Sequence, residues 1–262
     1  MVAPSGGTQT SIFDRIVCGI DGTPESLFAV KQAKRLQHPE GSLLLVAAMD
    51  LTKSAHAGMA ARHAAGLMQD DAEQAMAEAN ELVPAEGKIV NGDPATVLLN
   101  EAEQATLLAV GSHDRRRTVG LLLGTVATRM LHEAPCPVLI ARPARDPDTW
   151  PQTIVAGVDG STESELAVAT ARAVASSCRA ELRIVSATGD QVDLDAARRI
   201  APELEERDGR ALDVLVSEAE KADLVLVGSR GLQGLKTLGS ASERIAHQAS
   251  CSVLVVRGAV HG

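Results

Sequence analysis

Ile16-Val17-Cys18-Gly19-Ile20-Asp21-Gly22-Thr23 returns later in the chain as Ile154-Val155-Ala156-Gly157-Val158-Asp159-Gly160-Ser161. An apolar, β-branched run that stops at Asp-Gly and a hydroxyl residue reads as a buried strand, a tight turn and a helix cap. Finding it twice makes the chain a duplication, and the rest of the sequence falls into register around it. Leu108-Ala109-Val110-Gly111-Ser112 matches Leu226-Val227-Gly228-Ser229, and Gly124-Thr125 matches Gly239-Ser240. Cys136-Pro137-Val138-Leu139-Ile140 matches Cys251-Ser252-Val253-Leu254-Val255. The spacing shrinks along the way: Asp21 and Asp159 lie 138 residues apart, Gly111 and Gly228 lie 117, and Gly124 and Gly239 lie 115. The second copy has therefore lost 21 residues in its middle and two more beside its glycines.

Between the copies lies Ala144-Arg145-Asp146-Pro147-Asp148-Thr149-Trp150-Pro151, a polar stretch whose two prolines suit neither a helix nor a strand. The reading is two tandem domains, 1–148 and 149–262. In each, short β-branched runs alternate with Ala-rich helical patterns, which predicts an α/β fold: a mostly parallel five-stranded sheet, order 3-2-1-4-5, with helices on both faces. Strands are expected at 15–20, 43–49, 87–91, 107–111 and 137–141, then at 153–158, 181–187, 203–207, 223–228 and 252–257. The third of the second set, Glu203-Leu204-Glu205-Glu206-Arg207, is charged and fits only a sheet edge. Thr23-Pro24, Asp93-Pro94 and Ser161-Thr162 mark helix starts, and the run 57–82 is the long helix that the second copy mostly lacks. The two closing strands, Val138–Ala141 and Val253–Arg257, are apolar edges expected to pack on each other as an internal pseudo-dimer. The trimmed face of the second half leaves room for a homodimer as well.

Composition excludes several classes of function. With 262 residues, 45% apolar and 23% charged, the chain is globular, and its apolar runs are too short to cross a bilayer. Aromatics make up 1%, so there is no stacking platform for single-stranded nucleic acid. A net charge of −9 removes broad attraction to nucleic acid or anionic membrane, although a local anion site built from backbone amides is compatible with it. The four cysteines show no zinc spacing and are expected as reduced thiols. The first dozen residues lack the charged start and apolar run of a signal peptide, and the expected compartment is the cytoplasm.

Ligands of an open parallel sheet bind outside the carboxyl ends of the strands where the strand order reverses. Two features converge there in each half. One is the strand-end acid, Asp21 or Asp159. The other is a glycine-bearing loop that runs into a helix opening with a hydroxyl residue, at Gly124-Thr125 or Gly239-Ser240. Such a loop can cradle phosphate, because glycine lets backbone N–H groups approach and the helix start is electropositive. Read alone, each acid serves equally well as a turn and helix cap.

These motifs together resemble the universal stress proteins in tandem form. Members that hold nucleotide carry Gly-two-Gly-nine-Gly-Ser/Thr, and the resemblance implies ATP, with Mg²⁺ or Mn²⁺, lying along that pattern. It implies Gly19, Asp21, Ala48, Val110, Gly111, Gly124, Thr125 and Val126 around one nucleotide, and Gly157, Asp159, Ala187, Val227, Gly228, Gly231, Gly239, Ser240 and Ala241 around a second. The halves depart from the pattern differently. Half one keeps the spacing but has Asp114 where the family has glycine; at ~4 Å in an effective dielectric near 20, that charge would repel a phosphate by about 4 kcal/mol unless Arg115–Arg117 or a metal offsets it. Half two keeps Gly228 and Gly231 but has only seven residues before Gly239. A short flexible loop is more easily absorbed than a buried charge, so half two is the better phosphate site.

The remaining candidates are weaker. Ser112-His113-Asp114 are neighbours in one turn and cannot line up as a catalytic triad. Arg115–Arg117 reads as solvated surface, with phosphate clamping as its second use. His132 and His247, again 115 apart, sit in the last turn before each closing strand, where an imidazole complements the negative helix end. No placed nucleophile or base argues for an enzyme beyond slow ATP hydrolysis. Two functions compete: a nucleotide-responsive stress regulator, and a tandem scaffold whose phosphate loops have decayed.

Overall fold

The computed structural model describes residues 13–50, 59–112, 123–189, 192–229 and 241–258. The first half contains β1 (Phe13–Ile20), α1 (Pro24–Leu36), β2 (Gln37–Met49), α2 (Met59–Leu82), β3 (Glu86–Asn91), α3 (Pro94–Glu101), β4 (Leu107–Gly111), α4 (Thr125–Glu133) and β5 (Val138–Ala141). The second contains β6 (Thr153–Gly157), α5 (Thr162–Cys178), β7 (Glu181–Ala187), α6 (Leu194–Ile200), β8 (Glu205–Arg207), α7 (Ala211–Ala219), β9 (Leu224–Gly228), α8 (Ala241–Gln248) and β10 (Ser252–Val256). Each half has the strand order anticipated from its alternating pattern, and the trimmed copy has a helix of 7 residues where the first has one of 24.

All ten strands form one sheet, ordered β3-β2-β1-β4-β5-β10-β9-β6-β7-β8. Every pairing within a half is parallel. Among the described residues the one antiparallel pairing joins β5 to β10, with Val138, Leu139 and Ile140 opposite Val255, Leu254 and Val253. Alternate residues of each strand face opposite layers. Ile16, Cys18 and Ile20 join the core under α1, α2, α5 and α6, whereas Val17 joins the core under α3, α4, α7 and α8. Both faces are covered, which is why the strand sequences show no polar alternation.

The helix starts are set by side-chain caps. Thr23, Asp93, Ser161 and Asp193 each accept from the backbone N–H three residues on. Pro24 and Pro94 occupy the first helical position, where a missing N–H costs nothing. One end is strained: α5 closes on Arg179 in the left-handed region at φ 59. Arg179→Gly should therefore stabilise the protein by about 1 kcal/mol, read as a rise of a few degrees in Tm.

Two strands differ from the sequence reading. β2 begins at Gln37 rather than 43, because Phe13 pairs with Gln37 while Arg15 pairs with Ser42, so residues 38–41 bulge out between the two pairings. Gly41 sits in this bulge, where a Cβ would lie 2.8 Å from the Asp14 carbonyl oxygen. β8 is reduced to Glu205–Arg207, at the sheet edge as its charge demands. Its acids are paired: Glu205 takes Arg183 and Arg207, and Glu218 on α7 accepts from Arg183 Nη1 at 2.8 Å. The Arg183 guanidinium holds the Glu205 carboxyl below the usual carboxylate range.

The segment between the copies is bound down. Trp150 is 2% exposed and donates its indole N–H to the Asp223 carbonyl at 3.0 Å. The Asp223 carboxylate in turn accepts from the backbone N–H groups of Gln152 and Thr153 at 2.9 and 3.0 Å. This fixes the entry into β6 against the start of β9. The cysteines are free thiols, Cys18, Cys136 and Cys251 buried and Cys178 partly so. Burial pushes the Cys136 thiol up to about 11 and Cys251 up to about 12. Among the described residues, no helix is long and apolar enough to cross a membrane.

Candidate functional site

The strand order of each half turns at its first strand, which lies between β2 and β4 in one half and between β7 and β9 in the other. Asp21 follows β1 and Gly111 ends β4; Asp159 follows β6 and Gly228 ends β9. The two acids make the same turn. Asp21 Oδ1 accepts from the Thr23 N–H at 3.0 Å and the Thr23 hydroxyl at 2.6 Å. Asp159 Oδ1 accepts from the Ser161 N–H at 3.0 Å and the Ser161 hydroxyl at 2.5 Å. Gly22 and Gly160 follow at φ 73 and 86, the left-handed region that glycine enters without a Cβ clash. The turn-and-cap role is thus real in both halves. It engages Oδ1, and the Oδ2 of exposed Asp21 takes no part in it.

The glycines at the strand ends have packing reasons of their own. A Cβ on Gly111 would lie 2.8 Å from the Glu25 carbonyl carbon in the first turn of α1, and one on Gly228 would lie 2.5 Å from the Glu163 carbonyl in the first turn of α5. Gly19 and Gly157 face Leu98 and Leu215, each 2.8 Å from where a Cβ would be. Half two has a further neighbour. Asp193, which caps α6, places its carbonyl oxygen 2.7 Å from a Cβ on Gly160, so the shortened connection lies directly on the Asp159 turn.

Other sequence-derived residues take their expected elements. Ala48 and Ala187 are near the carboxyl ends of β2 and β7, and Val110 and Val227 are buried just before Gly111 and Gly228. Gly124 caps α4 with no side-chain hydrogen bond, and its N–H donates to the Ser112 carbonyl at 3.0 Å. Thr125 and Val126 form the first turn of α4, and Ala241 opens α8. Asp114, Arg115, Arg116, Arg117, Gly231, Gly239 and Ser240 lie outside the described residues. A surface depression of about 390 Å³ runs along α4 from Thr125 to His132 and reaches His247 on α8.

The two histidines do more than close their own helices. His132 Nε2 lies 3.0 Å from Glu243 Oε1 in the other half, and His247 Nε2 lies 3.9 Å from the same oxygen. Sequence reading also misses two arginines just past the closing strands. Arg142 is 2% exposed, and it donates to the Ala246 carbonyl at the end of α8 and to the Cys251 carbonyl at 3.3 Å. Arg257 donates to the Leu131 and Ala134 carbonyls at the end of α4, both at 2.7 Å. They are 115 residues apart, the same offset that relates the histidines, and that repeat is the signal that could have found them.

The model of the universal stress protein family matches residues 12–142 and 194–257 of this sequence. The chain belongs to the universal stress protein family. A universal stress protein of Mycobacterium tuberculosis is 30% identical over 200 residues, 65% of this chain and 68% of that relative. A solved universal stress protein from Archaeoglobus fulgidus superposes with a TM-score of 0.75 at 20% identity, covering 96% of this chain and 98% of its own. This likeness is one of fold and spans both halves. Another solved universal stress protein, in complex with cAMP, is 25% identical over 50% of this chain and 97% of its own, with a TM-score of 0.35.

Proposed function

We propose that this chain is an adenine-nucleotide-binding stress regulator, in which ATP with Mg²⁺ or Mn²⁺ alters conformation or partner choice without dedicated chemistry. One observation carries the reading: where the strand order reverses, Asp21 follows β1 and α4 follows the adjacent β4, and Gly124 leaves the first amides of α4 without a side-chain cap. There Asp21 Oδ2 would accept from a ribose hydroxyl or an adenine amine, and the amides of α4 would donate to phosphate oxygens. Asp159 and the start of α8 would do the same in half two. The cation would be held mainly by the phosphate oxygens. The units are 1–148 and 149–262. They act as an internal pseudo-dimer, a view supported by the β5–β10 pairing, and the cytoplasm is the proposed compartment.

A second reading is a tandem scaffold that binds no nucleotide, and one observation favours it. Gly19, Gly111, Gly157 and Gly228 are required by packing whether or not a ligand is present. Calorimetry with ATP, ADP, AMP and cAMP at millimolar concentration separates the two. Heat with any of them, weakened by Gly239→Val, supports the regulator; no heat with all four establishes the scaffold. Within the first outcome, Asp114→Gly should strengthen binding in half one tenfold or more by removing a charge beside phosphate. Asp159→Ala should weaken binding in half two by roughly tenfold through loss of one acceptor. Unchanged affinity in both variants would overturn the assigned residues.

A further inference from the structure

Arg142 is a buried cation and Arg257 a half-buried one, and among the described residues neither pairs with an acid. Among the described residues their guanidinium groups donate only to backbone carbonyls, and the Nε of each has no hydrogen-bond partner. Burial lowers Arg142 to about 10, which still leaves it charged at neutral pH, and lowers Arg257 as well. What compensates each charge is a helix carboxyl end, whose last carbonyls carry a partial negative charge and lack partners within the helix. The partners are crossed. Arg142 leaves β5 of half one and holds the end of α8 in half two; Arg257 leaves β10 of half two and holds the end of α4 in half one.

The backbone of Arg142 is fixed in the same crossed manner. Its N–H donates to Ser252 Oγ at 3.0 Å, Ser252 Oγ donates to Gln32 Oε1 at 2.8 Å, and Gln32 Nε2 donates to the Arg142 carbonyl at 2.8 Å. This closed ring ties α1, β5 and β10 together and leaves the guanidinium little freedom to follow a moving helix. α4 and α8 are helices of 9 and 8 residues, so an arginine at one end sets the direction of the other. The other end is the amino end, the one that would face phosphate on the nucleotide reading.

From this arrangement we infer that Arg142 and Arg257 are crossed positioning residues: each orients, across the β5–β10 seam, the phosphate-facing helix of the opposite half. The inference rests on the nucleotide reading above, and it predicts an inverted pattern that an ordinary packing role would not produce. Damage in one half should be read in its neighbour.

The test has two arms. In the nucleotide-free protein, hydrogen exchange followed by mass spectrometry should show faster exchange across 241–248 in Arg142→Met and across 125–133 in Arg257→Met, each by tenfold or more and each sparing the other helix. In the second arm, 8-azido-ATP with Mg²⁺ is photolysed on the full chain and the labelled peptides are assigned to 1–148 or 149–262. Arg142→Met should cut labelling of 149–262 at least tenfold and leave 1–148 within twofold; Arg257→Met should do the reverse. Arg142→Lys, which keeps the charge and one donor, should recover part of the loss, and it carries the same comparison if the methionine variant does not fold. Loss of label in the substituted half, or equally in both, overturns the inference. Absence of label in the wild type overturns the nucleotide reading instead, and the exchange arm then decides crossed positioning alone: faster exchange confined to the substituted half, or none, overturns it.

Discussion

Gly228→Val should unfold the second half's crevice from within. The added Cβ would lie 2.5 Å from the Glu163 carbonyl, a backbone group that cannot rotate away, and the two γ carbons have nowhere better to go. β9 would have to separate from the first turn of α5, the turn that Ser161 caps. The expected cost is at the upper end of overpacking, about 3 kcal/mol, or roughly a 10 °C fall in Tm by calorimetry. Gly111→Val in the first half should cost less, because the nearest atom there is 2.8 Å away. A midpoint unchanged in Gly228→Val would show that the strand end does not press on the helix.

Trp150→Ala should be the most damaging substitution outside the sheet. The indole is almost fully enclosed, and it is the anchor of the segment that joins the copies. Truncation removes its buried surface, leaves a cavity and frees the Asp223 carbonyl, for about 3–5 kcal/mol in all. Trp150→Phe keeps much of the volume and should cost about 1 kcal/mol for the hydrogen bond plus a smaller packing loss. Because Trp150 is the chain's one tryptophan, urea denaturation of these variants has to be followed by circular dichroism. Equal stability of wild type and Trp150→Ala would mean that the joining segment contributes nothing to the fold.

Much of this fold is legible in the sequence because its information is local. The strand-turn-cap octapeptide, read at Ile16–Thr23 and again at Ile154–Ser161, fixes two strands, two turns and two helix starts by short-range chemistry alone. The caps at Thr23, Asp93 and Ser161 act over three residues. The early start of β2 is harder to see, since Pro39-Glu40-Gly41 looks like a turn and bulges out between the pairings of Gln37 and Ser42 with β1. The candidate site divides the same way. The acids and glycines announce themselves, whereas what each touches is tertiary: Leu98 against Gly19, α6 against Gly160, and Glu243 between two histidines from different halves. Arg142 is the extreme case, a charged residue that composition assigns to the surface and that helix ends more than 100 residues away bring inside.

The β5–β10 pairing lies within a single chain, and its partner is always the unlike half. Joined by a short segment, the two strands meet at an effective concentration far above that of protein in solution, so the pairing does not weaken on dilution as a subunit interface does. An interface between identical subunits would show every substitution twice. Here Asp114 occurs in one half and the shortened spacing in the other, so each departure occurs once in the chain. Tethering thus releases the halves from symmetry: each is free to change without the change being repeated in the other.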